Sequence, residues 1–209
     1  AAGIEAADAA YITGTALNAY QLKASEAAKI TDLLANAANL FPGEMTDFGY
    51  SLSQAGAVAN QFGISIEDTT TALGFLAKAG IKSSDAGTLI KTMLLSLTDS
   101  GKPAQEAIRT LGLELYDQEG NFKGLEYVYK RLNAASREMT QEQYQAATAT
   151  LFGTDAARFA GLAAGESAPK WDEFRQRIDE TGTAARVANA RLQGLPGAME
   201  KLKNAGESL

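Results

Sequence analysis

The chain has 209 residues, 45% of them hydrophobic but only 8% aromatic, with a net charge of −6 and neither histidine nor cysteine. Those absences exclude Ser-His-Asp triads, Cys-His dyads, zinc sites of the usual ligands and disulfides. The acidic balance speaks against nucleic-acid binding unless basic residues cluster, and the runs Lys130-Arg131 and Arg175 to Arg177 are short, flanked by acids and read as solvated helix faces.

The amino end, AAGIEAADAA, carries neither the basic nor the apolar region of a signal peptide. It also lacks an initiator Met, which is expected of a piece cut from a longer chain. No apolar run nears the ~20 residues that span a bilayer; the most apolar, Met93 to Leu97, is short.

Helical spacing dominates from there on. Ala27, Ile30, Leu34, Ala37 and Phe41 step by three and four, as do Phe48, Leu52, Ala55, Ala59 and Phe62. Pro42-Gly43 separates these two stripes, and Thr46 is placed to cap the second. Ala86, Ile90, Met93 and Leu97 form another stripe. A helix opening near Pro103 ends at Gly112. Leu113 to Leu125, LELYDQEGNFKGL, is the one strand signal, a short two-stranded hairpin around DQEGN. That turn is not a calcium loop, because the later bidentate Glu is missing at the required position. Leu125, Val128, Leu132 and Ala135 return to helix. Thr140 with Gln143 makes a capping box before Tyr144 to Leu151. Gly153 closes that helix, Thr154 or Asp155 caps the next, and Ser167 opens a last stripe of Trp171, Phe174 and Ile178. Alanine favours helix but buries little area per residue, so ordinary or modest stability is expected.

The fold class is therefore all-α: a compact multi-helix domain of nine or ten short helices with one small β-hairpin insert near 113–124. Residues 1–182 form the domain, with sub-lobes 1–112 and 113–182. Residues 183–209 form a weakly amphipathic helical tail with a thin stripe of Val187, Leu195, Met199 and Leu202, kinked at Gly194 to Gly197 and leading to further sequence.

One phrase, Gly-Ile-x-x-x-Asp, occurs as GIEAAD from Gly3, GISIED from Gly63 and GIKSSD from Gly80. Its chemistry is that of a corner. Gly63 and Gly80 end helices in a left-handed conformation. Ile64 and Ile81 pin the turn to the core. Ser65, three residues before Asp68, caps the next helix, and Ser83 or Ser84 does so before Asp85. Glu67 and Asp68 suit the positive end of a helix dipole. The competing reading is catalytic. A glycosidase needs two carboxylates at a set separation with one pKa raised by burial, and Glu67, Asp68, Glu114 or Glu126 are the candidates. None sits in an apolar context that singles it out. No nucleophile elbow, P-loop or dinucleotide fingerprint is present, and Ser100-Gly101-Lys102 lacks the flanking P-loop residues. Gly87 lies inside a helical run at a cost of about 1 kcal/mol relative to alanine. Either another helix approaches there, between Ala86 and Thr88, or Gly87 is tolerated on an exposed face.

Four ordered pieces resemble the core region of phage tail tape measure proteins. They are the helix LNAYQLKASEAAKITDLLANAANLF; then SLSQAGAVANQFGISIEDTTTALGFLAKAGIKSSDAGTLIKTMLLSL, with Gly80-Ile81 and Ala86-Gly87-Thr88; then LGLELYDQEGNFKGL; then TLFGTDAARFAGL, with Phe152-Gly153. Together they run from about Leu17 to Gly182. The resemblance implies a structural, non-enzymatic segment with no cofactor and no metal, acting in tail assembly, tail-length determination and genome delivery. It implies partners among other copies of the same protein and the tail tube, tail-tip and tail assembly chaperone proteins. It implies no specific nucleic-acid binding, and membrane contact only during ejection. The location implied is the interior of the virion tail, with the host cytoplasm during assembly. The competing functions are a cell-wall hydrolase acting at entry and a membrane-active segment released on ejection.

Overall fold

The computed structural model describes residues 6–190. Nine α-helices follow in order: α1 (Ala6–Ala19), α2 (Ala27–Leu40), α3 (Met45–Gln61), α4 (Ile66–Lys78), α5 (Ser83–Ser96), α6 (Lys102–Thr110), α7 (Gly124–Glu138), α8 (Gln141–Gly165) and α9 (Pro169–Ile178). A single 3-10 turn, Ala24–Glu26, precedes α2, and the chain is helical again over 183–190. The tail stripe at Leu195, Met199 and Leu202, its kink at 194–197, and the Gly3-Ile4 half of the first phrase lie outside the described residues. Asp8, which ends that phrase, falls in the first turn of α1.

The described residues are all helical, and the expected hairpin insert does not form. Tyr116 and Phe122 make one isolated antiparallel bridge, flanked by Asp117 N–H to Asn121 O and Lys123 N–H to Leu115 O, both 2.9 Å. Three things leave no room for strands. Leu113 is spent on closing α6, its N–H reaching Ile108 O at 3.0 Å. The Glu114 N–H is taken by the Tyr127 hydroxyl at 2.8 Å. The Asp117 carboxylate folds the turn onto itself through the amides of Glu119 and Asn121, at 3.0 and 2.7 Å. The alternating Leu113 and Leu115 are buried anchors of a loop rather than one face of a ladder.

The stretch from Leu17 to Phe41 is also not one helix. α1 stops at Tyr20, where Leu22 N–H bonds back to Leu17 O (2.9 Å) and Gln21 N–H to Asn18 O (3.2 Å), with Gln21 at φ 53°. This is the Schellman closure usually given to glycine. The buried Tyr20 hydroxyl, donated to Thr69 Oγ1 at 2.6 Å, fixes the turn.

α4 runs through the centre. Eleven of its residues are buried, from Ile66 and Glu67 to Ala77, so it has no solvent face to keep polar. Its three threonines sit fully buried and return their hydroxyls to carbonyls one turn back: Thr69 to Ser65 O, Thr70 to Ile66 O and Thr71 to Glu67 O, at 3.0, 2.8 and 2.8 Å. Those bonds remove the cost of burying unpaired hydroxyls. Beside it the rings gather: Phe75 stacks on Tyr129 (4.8 Å) and Trp171 (5.8 Å) and meets Phe174 edge-on (5.3 Å). α2, α3, α5, α7, α8 and α9 all touch this helix, and one hydrophobic cluster draws residues from both halves of the chain.

Helix ends follow local chemistry, with two departures. The cap of α3 is Glu44, not Thr46. Glu44 is extended after the Pro42-Gly43 turn and closes a capping box with Asp47, whose Oδ2 accepts the Glu44 N–H at 3.0 Å. Thr140 and Gln143 do form their capping box, with bonds of 3.3 and 3.2 Å. α9 opens with Pro169 in its first turn, and Ser167 lends its carbonyl to Lys170 N–H rather than its hydroxyl to a cap.

α8 is helical on both sides of Gly153, which itself has φ 71° and ψ 171°. Only glycine occupies that region readily, and an added Cβ would meet open space, so the residue serves the backbone angle. The bend is large. The Tyr144 hydroxyl donates to Ala160 O at 2.8 Å, although sixteen residues of straight helix would separate them by about 24 Å. Asp155, beyond the bend, pairs with Arg158 at 3.7 Å.

Candidate functional site

The residues singled out by the repeated phrase form two different corners. At the first, α3 ends in a Schellman motif. Gly63, at φ 69°, donates to Asn60 O (2.9 Å) and Ile64 to Ala59 O (3.0 Å). Ile64 is buried beneath the turn. Ser65 Oγ accepts Asp68 N–H at 3.1 Å and donates to Asp68 Oδ2 at 2.7 Å, so α4 begins on a side-chain cap.

The acids of this corner are tied to distant helices. Glu67, 6% exposed, meets Lys29 Nζ of α2 at 2.6 Å and Arg175 Nη2 of α9 at 3.9 Å. Asp68 Oδ1 accepts Arg175 Nε at 2.7 Å. Arg175 also lies 3.7 Å from Asp179. One guanidinium thus joins α9 to the start of α4, and one ammonium joins α2 to the same turn. Burial alone would raise the Glu67 pKa, but the Lys29 hydrogen bond, its own backbone amide and the charges of Lys29 and Arg175 outweigh it and hold the carboxyl below its usual range. Lys29 is raised in turn, chiefly by its bond to Glu67.

These directions set a pH window. A carboxylate with a lowered folded pKa contributes stability above its unfolded value, near 4.5, and loses it as pH falls through the folded one. A raised lysine contributes below 10.5 and loses it as pH rises further. Glu67→Gln should lower stability by about 1–2 kcal/mol at neutral pH, the effect being moderated because Lys29 is half exposed. The melting-temperature gap between wild type and Glu67→Gln should be widest between about pH 5 and 10 and close on acidification below about 4.5. A gap that persists unchanged at pH 3 would show that the ion pair is not its source.

The second corner shares the glycine and not the cap. Gly80, at φ 80°, and Ile81 close α4 through Ala77 O and Leu76 O, each at 3.0 Å. Neither Ser83 nor Ser84 caps α5; the N-cap is Lys82, which makes no side-chain bond. Ser83 has φ 52° and turns toward α3, where its hydroxyl bonds Asp47 Oδ1 and its carbonyl accepts Ser51 Oγ at 2.6 Å. Asp47 therefore serves its own helix end and the next corner together. Asp85 and Thr88 face solvent, whereas Ala86 and Gly87 are buried, Gly87 against Ser51 and Gln54 of α3. A Cβ on Gly87 would lie 2.8 Å from Gln54 Cβ and 2.9 Å from the Ser51 carbonyl carbon. Phe152 is buried, and Gly153 is exposed at the bend of α8. The structure brings Gly63 to Asp68 together with Lys29 and Arg175, and Ala86 and Gly87 together with Asp47 and Ser51. It does not bring the two corners onto one cleft.

Chemically this is an arrangement for holding helices. Glu114 and Glu126, the other candidate carboxylates, pair at the surface with Lys123 (3.1 Å) and Lys130 (2.7 Å). Asp117, Glu138 and Glu173 are shifted, like Glu67, toward greater acidity, the reverse of what a general acid requires. Among the described residues, no helix is long and apolar enough to cross a membrane.

The model of the phage-related minor tail protein family matches residues 1–153, a span that includes both corners, Phe152 and Gly153. The chain belongs to that family. The chain is 29% identical over 198 residues to the tape measure protein of Pneumococcus phage Dp-1, an alignment covering 93% of this chain and 17% of that protein. It is 27% identical over 196 residues to the probable tape measure protein of Escherichia phage P2, covering 92% of this chain and 24% of that protein. The chain thus spans about a fifth of the length of these curated relatives. No solved structure matches it. Family membership supports a structural role in the phage tail.

Proposed function

We propose that this chain is a folded, non-enzymatic segment of a tape measure protein, contributing to tail assembly and to the setting of tail length, and present during genome delivery. One observation carries the reading. The alignments to two tape measure proteins run along nearly the whole chain while covering less than a quarter of each relative. The chain is then one station in a much longer protein. A straight helix converts residue count into distance at about 1.5 Å per residue; a bundle doubled back at its glycine corners does not. The ruler is therefore elsewhere in the longer protein, and this segment supplies contacts. Its partners in this reading are other copies of itself and the tail tube, tail-tip and assembly chaperone proteins. It assembles in the host cytoplasm and ends inside the tail, touching membrane only during ejection. The paired state of Glu67 and Asp68 supports a role without turnover.

In a phage encoding this chain, in-frame deletion of residues 6–182 should give short or aborted tails by negative-stain electron microscopy. The purified chain should release no soluble fragments from peptidoglycan in a zymogram. Full-length tails in the deletion, or a cleared zymogram lost on changing one carboxylate, would overturn the reading.

A further inference from the structure

We propose that α2 is a clamp that fixes the direction in which the helix opening at Thr183 leaves the core, so that the helix and the core move as one body. Two side chains one turn apart on α2 make the clamp. Asn36 is 4% exposed, and the residues one turn from it on the same face of α2 are Asp32, Leu33, Asn39 and Leu40. A leucine there would fill the same space without a polar group to desolvate. What Asn36 adds is a pair of hydrogen bonds: Nδ2 donates to Ile178 O at 2.9 Å and to Glu180 O at 2.7 Å, carbonyls at the end of α9. Asp32 acts on the other side of the turn. Its Oδ2 accepts Gly182 N–H and its Oδ1 accepts Ala184 N–H, each at 2.8 Å.

The first amides of a helix and its last carbonyls have no partner within the helix. Here α9 ends and the next helix begins within a few residues, so both sets of orphan groups crowd one turn, with Gly182 at φ 79° between them. α2 satisfies three of them, Ile178 O and the Gly182 and Ala184 amides, and the linking Glu180 carbonyl besides, from 142 to 152 residues away in sequence, and a carboxylate at a helix start is further favoured by the dipole. Locally, Arg186 Nη2 donates to Thr183 Oγ1 at 2.7 Å, and Thr183 is buried. On the core side, Arg175 holds α9 to Asp68. The 183–190 helix is thereby tied to α2 and α9, the two helices whose Lys29 and Arg175 brace the first corner. This inference does not rest on the tail role, and its failure would leave that role untouched.

The chain has no cysteine, so a pair introduced as Ala28→Cys and Asn189→Cys, both at exposed positions, takes spin labels uniquely on α2 and on the 183–190 helix. Electron–electron distance measurement on the full chain should give one narrow distribution. Asp32→Ala should broaden it and speed hydrogen exchange at the Gly182 and Ala184 amides about tenfold, while exchange in α4 stays slow. Asn36→Leu should broaden it likewise. If Asn36→Leu fails to fold, Asp32→Ala at its partly exposed site carries the test alone. A broad distribution in the wild type, or a narrow one with protected amides in Asp32→Ala, would overturn the clamp.

Discussion

Gly87→Leu should lower the melting temperature by about 10 °C, the cost being roughly 3 kcal/mol at about 2–4 °C per kcal/mol for a chain of this size. α5 packs on α3 at this point, with the buried Gly87 against the α3 backbone at Ser51. The first carbon of any side chain would stand 2.9 Å from the Ser51 carbonyl carbon. A backbone atom cannot rotate out of the way as a side chain can. Nor can α3 retreat freely, because Ser51 Oγ and the Asp47 carboxylate are bonded to Ser83 on the far side of the same crossing. Leucine regains about 1 kcal/mol of helix propensity over glycine, which offsets only part of the collision. Gly87→Ala should fall between wild type and leucine, since its methyl already meets the carbonyl. Thermal unfolding followed by circular dichroism measures both. An unchanged melting temperature for Gly87→Leu would mean that α5 lies further from α3 than the structure places it.

The second large effect is expected at Phe75. Its ring touches Phe41, Tyr129, Trp171 and Phe174, helix by helix the meeting point of α4 with α7, α9 and the end of α2. Phe75→Ala removes a fully buried side chain, at about 3–5 kcal/mol including the cavity, together with ring pairs worth about 0.5–1.5 kcal/mol each. Against a total of about 5–15 kcal/mol for a domain, this brings the chain near unfolding at 37 °C. The chain has one tryptophan, the fully buried Trp171 stacked on that ring, so its emission reports the site directly. Phe75→Ala should shift the emission to the red and lower the unfolding midpoint in urea. A wild-type spectrum and midpoint would place the centre of the core elsewhere.

Much of the helical order can be read in the chain because it is local. The stripe Leu125, Val128, Leu132, Ala135 and the stripe Trp171, Phe174, Ile178 are fully or nearly fully buried, as period 3.6 requires of a core-facing helix. The glycines at 63 and 80 mark helix ends because the left-handed turn admits few other residues. What the chain hides is who stands opposite. Ser83 looks like a cap in GIKSSD, yet its hydroxyl goes to Asp47, 36 residues earlier. Asp68 finds Arg175 across 107 residues, where the run Arg175 to Arg177 reads locally as a solvated face. The hairpin failed for the same reason in reverse: alternation at Leu113 and Leu115 is a true burial signal, but neighbouring groups had already taken the backbone donors that a ladder needs. Asn36 is hidden in the same way: it lies off the apolar stripe of α2, and the carbonyls of Ile178 and Glu180 that account for its burial are more than 140 residues away.

The most direct measurement compares infectivity with stability across Glu67→Gln, Asp68→Asn and Gly87→Leu in a phage carrying this chain. If the corner acids and glycines act as joints, plaque titre should fall in the same order as the melting temperatures of the three purified variants. A carboxylate variant that melts like wild type yet abolishes infection would contradict this, and would assign the acid to a reaction or a partner contact instead of a joint.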